Sequence, residues 1–599
     1  MTRVSSRRSR IAVAVAMTGA VGLLLAGCST GNNGDATNSG GEGGTISIAV
    51  TNAVTSFNGD TPQGNLDSNG MVGYLTGVSG SLGLGSFFTL DPEFNVVPEE
   101  GFGSIEKLSD DPLKVEYKLN EGLKWSDGEP ITADDMLFAW VQSSGWFDDA
   151  TIDPETGEPT SGNQYFSLAG STSGLDMTAF PEISDDNLSM TLTYSEPFVD
   201  WQYVNPVSKP AHIMAKQADL TVEELRALFT DSPQGDPAKP AAEPIPELKQ
   251  IADFWNSGYD TASMPENEDL LVASGPFVVT DFVPEQSLTL SKNPEYQGDH
   301  EIGYDNLIFR FIGDSNAQIT ALQNGEVNAV YPQPSADTNA ALEKIGATLY
   351  PGDQMAYDHL DLNMGGDTFK DPKVREAFMK TVPRQQILDS IITPMNPEAE
   401  VLNSQIWVSA NPEYENTIKE NGYDAFTEPD IDGAKALLNG ATPTVRILYN
   451  NENPNRVDTF QLIKSSAEEA GFVVEDLGDP NWGALLSGGE YDASIFGWVS
   501  PGVGNSALAQ IFKTGGGGNY NGYSNAESDK LVDEAQTTLD EAELEKKKMR
   551  IDAITAEEFY GLPLFQTPGL FADNGTITGV EYFGGQTGIV WNAQDWKLN

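Results

Sequence analysis

The chain contains a single cysteine, Cys28, so no intramolecular disulfide bond can support its fold. Its stability must therefore come from the burial of apolar side chains, and 39% of the 599 residues are hydrophobic. A chain of this length exceeds what one hydrophobic core usually serves, which predicts about two to four domains or subdomains. The 60 glycines and 35 prolines indicate long connecting loops.

The residues before Cys28 have the pattern of a secretory signal. Arginines at positions 3, 7, 8 and 10 precede an apolar stretch, residues 11–26, that is too short for a comfortable membrane span. Cys28 follows Leu25-Ala26-Gly27 directly. This segment resembles a bacterial lipobox, which implies removal of residues 1–27 and attachment of more than one acyl chain to Cys28. The alternative, a free thiol in an ordinary signal peptide, would not explain the position of the only cysteine.

Residues 28–44 consist mainly of Gly, Asn, Ser and Thr, a composition typical of a flexible tether. No later stretch is long and apolar enough to be predicted as a membrane span. We therefore expect an extracytoplasmic body that lipidated Cys28 anchors to the outer face of the cell membrane.

The net charge of −56 bears on two kinds of partner, nucleic acids and metal ions. A surface this acidic repels phosphate backbones, so we predict no nucleic-acid binding. The loop at residues 148–158 carries five acidic side chains, but their spacing is not that of an EF-hand loop. We predict a solvated acidic loop there, with calcium as the alternative, and we predict no metal site and no cofactor elsewhere.

Residue patterns predict alternating strands and helices along the body. Strands are predicted at residues 45–51, 115–119, 307–312, 445–450 and 472–477, and helices at residues 220–229, 316–324, 456–470, 528–539 and 541–559. Thr132, with Asp135 three residues later, imitates a capping box at the start of a further helix. Residues 275–292 are typical of a hairpin. The glycine-rich residues 70–85 are interpreted as a loop, without the Gly-Lys-Ser/Thr of a phosphate-binding loop.

The segment at residues 490–505 ends an apolar strand in a turn. Its strand residues are β-branched and aromatic up to Trp498, and Pro501, Gly502 and Gly504 then interrupt the pattern. Two interpretations follow for Trp498: a buried core residue before a surface loop, or one wall of a small-molecule cleft.

Several motifs in order resemble the solute-binding protein family (family 5) of bacterial oligopeptide and dipeptide ABC importers. The resemblance covers about residues 45–599. In the first block, the matching residues are Leu119, Gly122, Trp125, Asp127, Gly128, Pro130, Thr132, Ala133 and Asp135. Later matches are Gly275-Pro276, Asn293-Pro294, Gly325-Glu326-Val327, Asn363, Val374-Arg375, Arg384, Tyr491-Asp492, Gly497-Trp498, Asn519 and Tyr523.

The resemblance implies an α/β, two-lobed, type II periplasmic-binding-protein-like fold with an extra subdomain on the first lobe. The implied boundaries are residues 45–75, 270–330 and 562–599 for lobe I, 76–269 for the extra subdomain with a Pro-rich insertion near 231–246, and 331–561 for lobe II. Two crossovers near residues 330–334 and 562–564 would form a hinge, so that the lobes close around a ligand.

The resemblance also implies a function and a site. The chain would be a monomer that captures peptides and delivers them to an ABC permease with its ATPase subunits, and the ligand-binding residues would be Trp498, Asn363, Asn505, Asn52 and Tyr523. In peptide-binding relatives, an Asp shortly after the Gly-Trp motif pairs with the peptide's α-amino group. Residues 499–502 here contain no carboxylate, so either another acid does this or the ligand is not a short peptide with a free amino end.

Other functions remain as alternatives. A receptor of the same fold could bind a nickel chelate, haem or an oligosaccharide, or it could sense a signalling peptide. An extracellular hydrolase is a more remote alternative. Only three histidines are present, and they form no His-Glu-x-x-His motif; the chain also lacks Gly-x-Ser-x-Gly. The sequence therefore predicts a binding protein and no enzyme.

Overall fold

A computed structural model describes residues 43–80, 82–92, 94–152, 159–169, 174–241, 243–409, 411, 413–480, 482–486, 488–499, 505 and 507–599. Residues 1–41 and 42–599 separate as two units, and all described residues lie in the second. The signal, Cys28 and most of the tether lie outside the described residues, as do Pro501, Gly502 and Gly504.

The strands, in chain order, are as follows: β1 Thr45–Val50, β2 Phe88–Leu90, β3 Val96–Pro98, β4 Gly103–Asp110, β5 Leu113–Leu119, β6 Thr151–Ile152, β7 Pro159–Ser161, β8 Glu182–Ile183, β9 Ser189–Thr193, β10 Phe277–Val283, β11 Ser287–Lys292, β12 Asn306–Phe311, β13 Ala329–Val330, β14 Thr348–Leu362, β15 Thr444–Tyr449, β16 Val473–Gly478, β17 Ala493–Val499, β18 Gly561–Asp573, β19 Ile577–Thr578 and β20 Lys597–Leu598.

The α-helices are as follows: α1 Asp67–Thr76, α2 Ala133–Ser144, α3 Ala211–Lys216, α4 Val222–Asp231, α5 Pro246–Ser257, α6 Ser315–Asn324, α7 Ala336–Ile345, α8 Pro372–Met379, α9 Arg384–Ile387, α10 Tyr414–Thr417, α11 Ile431–Leu438, α12 Pro454–Ala470, α13 Trp482–Leu486, α14 Ala507–Phe512, α15 Ala526–Gln536 and α16 Glu541–Glu557.

One mixed sheet of ten strands organises the body, in the order β10-β11-β12-β1-β13-β18-β14-β17-β15-β16. In its first half, β12, β1 and β13 run parallel to one another. In its second half, β16, β15 and β17 are also parallel. The long antiparallel strands β14 and β18 join the two halves.

The β14–β18 ladder is where the chain passes from one half of the sheet to the other. Near its start, β14 is level with β13, because Thr348 and Ala329 both pair with Asp573 of β18. Further along, residues 356–362 of β14 pair with β17. The regular register of β14 with β18 is interrupted between Asp353 and Tyr357. The middle of this ladder is therefore where the two halves of the sheet are connected.

An aromatic ring covers a pair of glycines at this crossing. Gly352 and Gly569 are direct partners in the ladder. A Cβ atom on Gly352 would lie 2.3 Å from the ring of Tyr582. Tyr582 packs in turn against Phe571 of β18, with ring centroids 4.9 Å apart. The two glycines thus let Tyr582 lie directly on the backbone of the ladder.

A separate sheet of four antiparallel strands, β4-β5-β9-β8, is formed by residues that lie in sequence between β1 and β10 of the large sheet. A buried lysine ties this region to the first half. Lys209 is 1% exposed and its Nζ donates to the carbonyl oxygens of Phe57 (3.1 Å) and Val78 (2.5 Å), which follow β1 and α1. Burial lowers the pKa of Lys209 to about 8, an effect that Asp60 opposes. The four-stranded sheet is therefore attached to the first half.

Many predicted elements are confirmed. Helix α2 begins with the predicted capping box, in which Asp134 N–H donates to Thr132 and Thr132 N–H donates to Asp135. The predicted hairpin is β10–β11, and the predicted β-α-β unit is β15-α12-β16 with parallel pairing. The prediction of a loop at residues 70–85 is wrong in part, because α1 continues through Thr76. Its apolar side chains are buried, and this burial outweighs the low helix propensity of glycine.

The chain passes between the two halves of the sheet within β14 and β18, and the predicted crossovers near residues 330–334 and 562–564 stay a prediction. After β13 the chain stays with the first half, because Leu342 of α7 packs in one cluster with Ile319 and Leu322 of α6. The passage occurs within β14, near residues 352–357, and within β18, near residues 566–569. The sequence pattern could not show this, because both strands continue through the crossing. The domain boundaries as a set stay a prediction.

One buried arginine joins several segments of the second half. Arg384, with no exposed surface, donates from Nε to Phe426 O, from Nη1 to Leu402 O and Pro563 O, and from Nη2 to Asn403 Oδ1 and Tyr423 O, at 2.5–3.1 Å. All five guanidinium N–H groups are thereby used, and every acceptor is a neutral oxygen. Burial lowers the pKa of Arg384 to about 10.

We expect Arg384→Lys to lower the free energy of unfolding by about 3 kcal/mol or more, because an ammonium cannot reach all five acceptors and leaves buried carbonyls unpaired. Urea denaturation measures the change. The matched control is Arg550→Lys, at a partly exposed ion-paired site, where we expect a loss of about 1 kcal/mol or less. Equal losses in the two variants would contradict the structural role of Arg384.

Candidate ligand-binding site

The carboxyl ends of the two sets of parallel strands point toward each other. Strand β14 runs in the same direction as β13, because both are antiparallel to β18. Strand β17 runs opposite to β14, and β15 runs with β17. Ligands of open α/β sheets bind in the crevice outside the carboxyl ends of the strands. In this chain two such edges face each other across the middle of β14.

The strand register gives the separation of these two edges along β14. The end of β13, Val330, is level with Leu349 of β14, because both pair with Ala572. The end of β17, Val499, pairs with Ala356. Seven residue steps of β14 separate the two levels, which corresponds to roughly 20 Å at the usual strand rise. This distance is suited to a ligand held between the two halves.

Trp498 lies at the carboxyl edge of β17 and is stacked against two aromatic rings. Its indole is nearly parallel to the ring of Tyr520, with an interplanar angle of 3° and centroids 6.0 Å apart. The imidazole of His359 is also nearly parallel to the indole, at 14° and 6.3 Å. The indole remains partly exposed. Trp498 is therefore an oriented aromatic side chain at the edge of the candidate cleft.

His359 is fixed behind Trp498 by a carboxylate. Its Nδ1 lies 2.8 Å from Asp361 Oδ1, and both side chains are almost fully buried. The ring also contacts Phe496 edge-on, with centroids 4.2 Å apart. Its Nε2 is buried and has no hydrogen-bond partner among the described residues. The carboxylate therefore sets the orientation of an imidazole that supports the indole.

Asp358 and Arg456 form an ion pair beside Gly497, on the face of the strand opposite to Trp498. Arg456 donates to Asp358 Oδ1 from Nη2 (2.7 Å) and Nε (3.2 Å). The guanidinium of Arg456 also lies over the ring of Trp482, 5.2 Å from its centroid. Both charged side chains are largely buried, at 12% and 3% exposed. The absence of a Cβ at Gly497 leaves room for this pair, since a Cβ there would lie 3.0 Å from Asp358 Oδ1.

The middle of β14 carries a carboxyl group in the interval between the edges. Asn396 donates from Nδ2 to both oxygens of Asp353, each at 3.3 Å. Burial raises the pKa of Asp353, and the hydrogen bond from Asn396 opposes that shift. Met355 N–H donates to Gly584 O at 2.9 Å, so the segment that carries Tyr582 runs along this part of β14.

A buried polar layer lies on the Trp498 side of the second half. Tyr357, which pairs with Trp498 in the ladder, donates to Gln405 O. Asp552 accepts from Gln405 N–H (2.8 Å) and Asn421 Nδ2 (2.7 Å). Burial raises the pKa of Asp552 to about 6, although these hydrogen bonds oppose the shift. This layer holds the strands that carry Trp498 in one arrangement.

The structure does not bring Asn363 to Trp498. Asn363 follows the end of β14, six residues beyond the partner of Trp498, which places it roughly 20 Å away along the strand. Its Nδ2 donates to Gly489 O (3.1 Å) and Tyr491 O (2.9 Å), and its Oδ1 accepts from Gly366 N–H. These bonds hold the turn that precedes β17. A ligand contact by Asn363 stays a prediction.

The other predicted site residues lie in different surroundings. Asn52 is exposed just beyond the carboxyl end of β1, at the edge of the first half. Tyr523 is 1% exposed, packs edge-on against Tyr560, and burial raises its pKa to about 12. Asn505 is bound to Asp200 of the four-stranded region. Cys28 lies outside the described residues.

Sequence reasoning missed His359, Asp358 and Arg456 as part of the site. The strand pattern offers one signal for them, because charged residues at positions 358 and 361 and a histidine interrupt the otherwise apolar second part of β14. Arg456 follows the N-cap Asn453 and Pro454 at the start of α12. Its partner is 98 residues away, and only the sheet pairing brings the two together.

The described residues contain neither a cluster of metal ligands nor a helix suited to cross a membrane. No cluster of His, Cys, Asp or Glu there is arranged to hold a metal ion. In the acidic loop, Asp149 accepts from Asn163 and Ala241 N–H groups and Asp148 accepts from Tyr165 N–H, whereas residues 153–158 lie outside the described part. No described helix combines the length and apolar character that a membrane crossing requires.

A protein-family model matches most of the chain. The model described as bacterial extracellular solute-binding proteins, family 5 Middle, matches residues 103–520. The chain belongs to this family. The resemblance seen in the motifs is thereby confirmed.

Curated relatives span almost the whole chain. An uncharacterized lipoprotein of Mycobacterium tuberculosis is 22% identical over 573 residues, which cover 92% of this chain and 93% of the relative. The oligopeptide-binding protein OppA of Mycobacterium bovis is 22% identical over 550 residues, covering 90% and 82%.

Solved structures confirm the α/β binding-protein fold. The periplasmic EDTA-binding protein EppA has a TM-score of 0.76 and 24% identity, with 93% of this chain and 97% of that chain covered. The oligopeptide-binding protein AppA of Bacillus subtilis, in complex with a nonapeptide, has a TM-score of 0.69 and 20% identity, covering 93% and 99%. At these identities the likeness shows the fold alone.

The stacking of Trp498 depends on a second glycine, which gives a test. A Cβ on Gly518 would lie 2.8 Å from Trp498 Cη2, whereas Gly517 has open space. We expect Gly518→Ala to displace the indole and shift its N–H resonance in a ¹H–¹⁵N spectrum, with that resonance assigned through its loss in Trp498→Phe. Gly517→Ala is the matched control and should leave the resonance in place. A shift of the same size in both variants would contradict this packing.

Proposed function

We propose that the chain is the substrate-binding lipoprotein of an ABC importer and that it captures peptides between the two halves of the sheet. Membership of solute-binding protein family 5 carries the proposal. The facing carboxyl edges, roughly 20 Å apart along β14 and connected through β14 and β18, support capture by closure. A ligand favours the closed form only if it contacts both halves at once.

Peptide as the ligand class is supported by the printed names of two comparison proteins, OppA and AppA. Trp498 and its stacked neighbours offer an apolar wall at the carboxyl edge of β17. Delivery to a membrane permease and its ATPase subunits belongs to the same proposal. So do the monomeric state and the roles of Asn363, Asn52, Asn505 and Tyr523 as ligand contacts.

A second candidate ligand is a metal chelate or another polycarboxylate. The similarity to an EDTA-binding protein favours it. The sequence adds support, because residues 499–504 contain no carboxylate that could pair with a peptide's amino group. The Asp358–Arg456 pair favours neither ligand, because its two charges are largely buried and bonded to each other.

A ligand screen separates these candidates. The melting temperature would be followed with pools of peptides of defined length, with EDTA, and with nickel–histidine. Binding at a ligand concentration of 100 times Kd stabilises the protein by about 2.7 kcal/mol. We expect a rise in melting temperature with at least one peptide pool. A rise with EDTA or nickel–histidine and with no peptide pool would overturn the peptide assignment.

The same assay tests Trp498. We expect Trp498→Ala to weaken binding of the active pool by about tenfold or more, because it removes the oriented aromatic wall. The free energy of unfolding should fall less than in the control Trp255→Ala, where a fully buried indole is removed. Unchanged affinity together with a large loss of stability would show that Trp498 is a core residue.

The anchor has a separate test. The named lipoprotein among the relatives supports lipidation of Cys28 and location at the outer face of the membrane. We expect Cys28→Ser to release the protein from the membrane fraction, because the acyl chains would have no attachment site. Cell fractionation followed by immunoblotting measures this. Full membrane retention of the variant would contradict the lipid anchor.

A further inference from the structure

The stretch around Asp200 connects two parts of the molecule that the large sheet keeps apart. Asn505 donates to Asp200 twice, from its backbone N–H to Oδ2 (2.5 Å) and from Nδ2 to Oδ1 (3.0 Å). Val199 N–H donates to Gln536 O at 3.1 Å. Residues 505 and 536 lie after β17 and at the end of α15, in the second half. Val199 and Asp200 are therefore bonded to the second half at two places, Gln536 and Asn505.

The Asp200 side is anchored to the four-stranded sheet and, through it, to the first half. Tyr117 of β5 donates to Trp201 O at 3.4 Å, and Lys107 of β4 lies over the Trp201 ring, 5.6 Å from its centroid. Eight residues after Trp201, Lys209 is bound to the carbonyls of Phe57 and Val78. A movement of the two halves about the β14–β18 crossing would therefore separate Asp200 from Asn505.

The carboxylate of Asp200 is buried and its contact with Asn505 is charge-assisted. Asp200 is 5% exposed, and a carboxylate that accepts two N–H groups forms charge-assisted hydrogen bonds, which are stronger than neutral ones. Such bonds exchange for water only when the carboxylate becomes accessible. The Val199–Gln536 backbone bond would break in the same step.

We propose that Val199 and Asp200, with Asn505 and Gln536, form an interlobe latch that holds the two halves closed and raises the energy of opening. This assignment gives Asn505 a role in addition to the ligand contact that belongs to the proposed function. The latch rests on one part of the proposed function, the movement of the two halves about the β14–β18 crossing. It predicts that part of the closing energy comes from the protein itself and is present without ligand.

The test is a distance distribution in the ligand-free full chain. Spin labels would be attached at Glu223→Cys on α4 and Glu541→Cys on α16, both exposed positions, in a chain that also carries Cys28→Ser. We expect Asp200→Ala to add a population at longer distance, with the ratio of open to closed molecules rising at least about tenfold, because two hydrogen bonds to a charged group are lost. The matched control is Asp185→Ala, an exposed carboxylate in the β8–β9 turn, which should leave the distribution unchanged.

A swapped pair distinguishes the latch from a general disturbance of the fold. Asn505→Asp alone places two carboxylates together and should also favour the open form. Combined with Asp200→Asn, it restores an amide–carboxylate pair and should return the distribution toward that of the unchanged chain. Identical distance distributions for all variants would overturn the latch. So would a swapped pair whose population at longer distance is as large as that of Asp200→Ala.

These distances are measured without ligand, so the outcome does not depend on which ligand the screen identifies. A failed peptide assignment together with a tenfold response to Asp200→Ala would leave the latch in place. A peptide-binding protein with no response in any variant would retain the proposed function and lose the latch.

Discussion

The antiparallel pairing of β14 with β18 is the interaction on which the rest of the structure depends. These two strands carry one hydrogen-bonded sheet through both halves of the body, so each half is oriented by the same ladder. The ladder is irregular in its middle, between Asp353 and Tyr357, and next to this interval Gly352 pairs with Gly569 under the ring of Tyr582. A rigid sheet on each side and an interrupted pairing between them make this the place where bending costs least.

The candidate site is a consequence of that pairing. Because β14 runs with β13 and against β17, the carboxyl edges of the two parallel sets face each other across the crossing. Trp498 and the Asp358–Arg456 pair lie at one of these edges, on opposite faces of the strands. The same crossing separates the two sides of the Asp200–Asn505 contact. Ligand capture and the latch would thus act on one movement, from different places.

Individual elements show how far prediction from sequence reached. The capping box at Thr132, the hairpin β10–β11 and the parallel β15–β16 pair follow from local patterns, because each depends on residues close in the chain. Helix α1 was missed, since its glycines suggest a loop and only burial against the first half makes it helical. The point of passage within β14 and β18 has no local signal either, because a long strand gives no sign of where it passes from one half to the other.

The sequence by itself determined the family, the α/β class and the position of Trp498 at a strand end, because these rest on motifs and short-range periodicity. Only the tertiary structure decided which residues lie together. Asp358 meets Arg456 across 98 residues, Asn505 meets Asp200 across 305, and Asn363 is directed into a turn away from Trp498. Strand order and register set these contacts, and both are properties of pairing between distant segments that no local pattern encodes.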